Sequence, residues 1–311
     1  MDRSFRVPGA HVRLLLVIML VSLVVTSEAV ATVAVQRDDT VWVASGNEPR
    51  LRRLVRGTNP VVVPGGHVVV VRSPDGEQLL MVPASGGVAR TIDGIRLSAR
   101  EPLRLKGGTD GRHVLVQRMA GPAAIVDTAS GSARELATVR GFGAVAPGGA
   151  EVAYVRRLGQ AGCDLAIANT LSGETRSLRR TSCGAGVDWG SRGLWLTESS
   201  DLTTVMRIVP ETGEVQARTR TRLTLFPVDV AADGALRLHA RYDSGPEWAA
   251  TIAADGRLTR RRIPSPILHL YFTAGQRVAF AQRYDGVVMR YAFATGARRT
   301  LARGCTAVSA G

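Results

Sequence analysis

The chain alternates between short apolar runs and glycine-marked turns. HVVVVR from His67, HVLVQR from His113 and EVAYVR from Glu151 are followed by LWLTES from Leu194, LRLHAR from Leu236 and RVAFAQR from Arg277. Runs this short, apolar throughout or alternating, predict strands rather than helices. A glycine turn precedes each run: PGG at Pro64, TDG at Thr109, PGG at Pro147, GSRG at Gly190, ADG at Ala232 and TAG at Thr273. A second turn series lies out of phase, at Gly46, Gly87, Gly131, Gly173, Gly213, Gly256 and Gly296, spaced by 41, 44, 42, 40, 43 and 40 residues. Each of these glycines sits where a tight hairpin needs positive φ. One period therefore holds four short strands, here lettered A to D, joined as A, turn, B, loop, C, turn, D. Four antiparallel strands per 40–45 residues predict the blade of a β-propeller.

The two turn series differ in number, seven against six, and ring closure accounts for the difference. Val33 to Leu54 aligns with Val278 to Leu301. The N-terminal stretch then supplies strands B, C and D of one blade, and Cys305 to Val308 supplies its strand A. A blade shared by the two ends leaves no open sheet edge in the ring. The expectation is an all-β, seven-bladed propeller over residues 32–311, with six blades as the alternative.

Residues 1–31 carry a different pattern. Arg3, Arg6 and Arg13 precede the uncharged run from Leu14 to Val25, and Ala29-Val30-Ala31 follows as a small-x-small site. That order predicts a secretory signal peptide cleaved after Ala31. The run is shorter than the ~20 residues of a spanning helix, so an uncleaved N-terminal membrane anchor is the alternative. Either way the protein is expected outside the cytoplasm, secreted or held at the envelope.

Export changes the reading of the charge. The formal net charge is +14, with 40 Lys and Arg against 26 Asp and Glu. Lys106 is the sole lysine. A basic chain invites a nucleic-acid reading, but an exported chain rarely meets nucleic acid, and the arginine skew suits GC-rich coding. Export also permits disulfides. Cys163, in a B–C loop, and Cys183, in the next D–A loop, fall on the same face and are expected to pair. Cys305 falls three blades away and is expected to stay free.

SPDG at Ser73 to Gly76, VDW at Val187 to Trp189 and YDG at Tyr284 to Gly286 resemble the TolB-like, or WD40-like (PD40), propeller repeat. The resemblance covers nearly all of residues 32–311. It implies an exported bacterial interaction scaffold, with an actinobacterial source expected, and it carries over no catalytic residue.

The residues point the same way. There is no G-x-S-x-G elbow, no H-E-x-x-H and no phosphate-cradling glycine loop. No cofactor or metal is expected. His67 and His113 open equivalent strands without a ligand set. An arginine recurs at the end of strand B, as Arg37, Arg72, Arg118, Arg156, Arg241 and Arg283. These six should share the B–C and D–A loop face, where clustered guanidinium groups would draw an anionic partner. The competing reading is a solvated face whose arginines meet neighbouring acids such as Asp285. The expected function is non-enzymatic binding by a monomer, with an envelope protein or anionic envelope polymer as partner. The alternative is a lyase or lactonase type of enzyme working at the central axis, where Asp188 and Asp229 form the one acidic pair in sight.

Overall fold

A computed structural model describes residues 32–45, 50–119, 121–242, 245–263, 266–272 and 278–310. The signal or anchor segment, the Gly46 turn and the TAG turn at Thr273 lie outside the described residues. The described chain forms seven four-stranded antiparallel sheets arranged as a seven-bladed propeller. A single 3-10 turn, Gly159–Ala161, is the one helical element among the described residues.

Blade 1 is shared. Thr32–Arg37, Thr40–Ser45 and Arg52–Arg56 form its strands B, C and D, and Ala307–Ala310 forms strand A. The register sets Val33 against Ala310, Val35 against Val308 and Gln36 against Ala307. Strand A of blade 1 also meets blade 2, where the Val62 amide donates to Ser309 Oγ at 2.9 Å. Blades 2 to 7 follow in chain order. Their innermost strands are Thr58–Val62, Leu103–Gly107, Gly143–Val145, Gly186–Gly190, Thr224–Val230 and His269–Phe272.

The apolar runs owe their continuity to packing on both sheet faces. Alternate residues of a strand face opposite ways, and here each face meets another blade. Val70 joins the cluster between blades 2 and 3, while Val69 and Val71 join the one between blades 1 and 2. Seven apolar clusters result, one at each blade junction. The turn glycines fit this crowding. Gly111 has φ +70°, and a Cβ there would lie 2.7 Å from the Pro64 carbonyl oxygen of the neighbouring blade.

Cys163 and Cys183 are joined in a disulfide, and Cys305 is free and buried. The SPDG segment joins strands B and C of blade 2. It closes as a tight turn, with the Gly76 amide donating to the Ser73 carbonyl at 3.0 Å.

The disulfide spans 20 residues. A loop of that size constrains the unfolded chain by about 3 kcal/mol in the chain-entropy view. Cys163→Ser should therefore lower the melting temperature, and non-reducing peptide mapping should recover Cys163 linked to Cys183. Cys305 should react with an alkylating reagent only after unfolding. Linkage of Cys305 to either partner, or an unchanged melting temperature, would contradict this arrangement.

Candidate functional site

The seven innermost strands surround a central cavity of about 1020 Å³. Each innermost strand starts at the B–C and D–A loop face and ends at the A–B turn face, so the cavity has two chemically distinct ends.

Near the A–B turns the cavity is crossed by ion pairs. Lys106 of blade 3 reaches past blade 4 to blade 5, where its Nζ lies 2.5 Å from Asp188 Oδ1 and 2.8 Å from the Val187 carbonyl. Blade 4 leaves room for this, because its innermost strand is only Gly143–Val145, sequence GAV. Thr109 Oγ1 donates along the same path to the Trp189 carbonyl at 3.3 Å. In blade 6 the Arg237 guanidinium forks onto Asp229, with Nη2 to Oδ2 at 2.6 Å. Burial pushes the Asp229 carboxyl above the ordinary carboxylate value, and Arg237 works against that push. The predicted acidic pair does line the axis, but each acid has its own cation.

Toward the loop face the lining becomes aromatic and cationic. Arg241 lies over the Phe226 ring, 4.9 Å from its centroid, and donates to the Tyr284 hydroxyl at 3.2 Å. Arg104 lies over Phe142 at 5.7 Å. Phe226, Leu268 and Tyr284 line the opening and are all exposed, as is Phe142 against Arg104, an uncommon condition for large apolar side chains. Behind them His239 Nε2 lies 2.7 Å from Glu247 Oε2. Burial holds His239 below its ordinary value in spite of that carboxylate. Burial, with Arg104 adding to it, does the same to His269, and burial pushes the Tyr271 hydroxyl up to about 12. Burial thus disfavours the charged form of all three groups.

The six strand-end arginines all stand at the B–C end of their strands, but their side chains do different things. Arg72 is buried and donates to the carbonyls of Gly76 at 2.8 Å, Glu101 at 2.8 Å and Ser98 at 2.5 Å. Arg118 meets Glu101 at 3.0 Å and Glu135 at 3.4 Å. Arg156 meets Asp164 at 2.7 Å, and Arg283 meets Asp285 at 3.2 Å. Arg241 belongs to the cavity mouth. Arg37 is exposed, and its side chain makes no hydrogen bond or ion pair among the described residues. Of the six, then, Arg241 alone faces the cavity. His113 pairs with Asp110 at 2.5 Å, and His67 is exposed. No group of three metal-ligating side chains occurs among the described residues.

Arg104, Phe142, Phe226 and Tyr284 carry no sequence signal that marks them as a site. Glu101, which ties Arg72 to Arg118, has no local signature. Arg156–Asp164 and Asp229–Arg237 do: each pair is eight residues apart and directly opposed across a hairpin.

Solved propellers share this architecture. TolB from Acinetobacter baumannii matches with a TM-score of 0.58 at 12% identity, over 100% of this chain and 75% of that one. A Bacteroides uniformis protein given the provisional name 6-phosphogluconolactonase matches with a TM-score of 0.60 at 12% identity, over 91% of this chain and 99% of that one. A prolyl endopeptidase matches with a TM-score of 0.57 at 11% identity, over 91% of this chain but only 50% of that one. These likenesses establish a TolB-like propeller fold. No protein-family profile and no curated relative matches the sequence.

The ion pair at the axis generates a stability test. Asp188 has a side chain 5% exposed, so removing its cation strands a buried carboxylate, which costs about 3–5 kcal/mol. Lys106→Met should lower unfolding stability by roughly that amount, and adding Asp188→Asn should restore most of it. A Lys106→Met protein that resists urea as the parent does would show that the pair does not brace the ring.

Proposed function

We propose that this chain is an exported binding propeller of the TolB-like, PD40-containing kind, and that it recognises its partner at the loop-face mouth of the central cavity. The observation that carries the reading is the set of Arg241, Phe226, Tyr284, Arg104 and Phe142 around that mouth. Arginine, tyrosine and other aromatic side chains clustered at a concave opening are the groups on which protein recognition concentrates. The two guanidinium groups favour a partner that brings carboxylates or other anions. A protein with an acidic segment suits the site best. The Cys163–Cys183 disulfide suits an oxidising compartment outside the cytoplasm.

The second reading is an enzyme of lyase or lactonase type. Lys106, Asp188, Asp229 and His239 line the same cavity and offer both acids and bases. The ion pairs argue against it, because a carboxylate already neutralised by a neighbouring cation makes a poor general base.

A photo-cross-linking residue placed at Tyr284 should capture a protein partner in intact cells. The same residue at Leu171, exposed in a C–D turn on the opposite face, should not. Combining the Tyr284 cross-linker with Arg241→Gln should reduce the yield at least several-fold. Equal capture from both faces, or capture indifferent to Arg241, would contradict the proposal.

A further inference from the structure

The positive charge of the chain is concentrated on its circumference. The seven outermost strands are Arg52–Arg56, Arg90–Thr91, Ser132–Leu136, Thr175–Thr181, Val215–Thr221, Leu258–Ile263 and Arg298–Ala302. Together they carry fifteen arginines and one acid, Glu135. That excess of fourteen equals the formal net charge of the whole chain. The rest of the molecule is thus balanced, and the rim is not. Of the fifteen, Arg56 and Arg176 meet a carboxylate among the described residues.

Edge strands commonly carry charge to discourage pairing with other chains. That purpose is met by one or two charges per strand, and charges of either sign serve it. A rim of a single sign does more than the edge requires, and it holds like charges side by side at a cost in stability. Seven of the fifteen fall on the consecutive blades 5 to 7. Arg218, Arg220, Arg260, Arg261, Arg262, Arg298 and Arg299 are all exposed there. Residues two apart on a strand, such as Arg218 and Arg220, repeat about every 6.7 Å on one face.

We propose that this rim binds a flexible linear polyanion bearing phosphate or carboxylate groups. The curvature selects the partner. The charge runs around the circumference of a ring, so a flat anionic membrane can touch only one or two blades at a time. A flexible chain follows the curve and meets successive outermost strands. Each guanidinium fork suits either anion, and every contact releases counterions, so affinity falls steeply with salt. This surface is separate from the cavity mouth, and the two sites stand or fall independently.

The test uses the exported protein with all three cysteines retained, and compares the parent with a variant in which Arg218, Arg220, Arg260, Arg261, Arg298 and Arg299 are replaced by Gln. Inorganic polyphosphate and poly-glutamate are the probes, and the slope of log affinity against log salt is the readout. The parent should bind at least one of them with a steep slope, and the polymer it prefers identifies the anion. The variant should bind at least about ten-fold more weakly at low salt, with a shallower slope. Its melting temperature should equal or exceed the parent's, since like-charge repulsion has been removed. Arg37→Gln, exposed on the loop face outside both the rim and the cavity mouth, should bind both polymers within two-fold of the parent. The proposal is overturned if the six-fold variant binds within two-fold of the parent, or if the parent binds anionic phospholipid vesicles and neither polymer.

Discussion

Every sheet in this molecule is buried on both faces, and each blade depends on the one before it and the one after. A single blade could not cover its own valines. Only a closed ring gives each apolar face a partner, and closure rests on Ala307–Ala310 adding itself to the strand that begins at Thr32. The Ser309 hydroxyl then fixes the new strand against blade 2. Because the faces of the sheets are used up in packing, polar chemistry is confined to three places: the axis, the loop faces and the rim.

Charge behaves differently in each. At the axis it is paired across the ring, and Lys106–Asp188 binds blade 3 to blade 5 much as the sheet register binds neighbouring strands. On the loop face most of the recurrent arginines secure loops to strand ends. Arg72 is the clearest case, since its guanidinium donates to three loop carbonyls at once. At the rim the arginines remain largely uncompensated. The cavity mouth combines features of the first two places, with guanidinium groups held over aromatic rings rather than by carboxylates.

The sequence was most informative where a signal repeats. Strand runs and glycine turns recur every 40–44 residues, so blade number, strand order and the shared closing blade could be read from it. The disulfide was legible for the same reason, because the repeat places Cys163 and Cys183 on one face. The site was less legible. Arg104 with Phe142, and Phe226 with Tyr284, come from four different blades, and only the closed ring turns them toward one face. Lys106 and Asp188 stand 82 positions apart and leave no local trace. The strand-end arginines show how far a repeat can be read. Their periodicity is real, but periodicity records an equivalent position in each blade, and equivalent positions differ in partners. The rim charge was readable in principle, because each outermost strand follows a turn glycine whose position was known.

Arginine-selective dicarbonyl labelling of the folded protein, read by peptide mass spectrometry, distinguishes the three environments of the charge. Arg72, Arg118, Arg156 and Arg237 should label slowly. Arg37 and the rim arginines Arg220, Arg262, Arg298 and Arg299 should label fast, and Arg104 and Arg241 should fall between. If the six strand-end arginines instead label uniformly and as fast as the rim, they form an open ring on the loop face, and the division of charge described here is wrong.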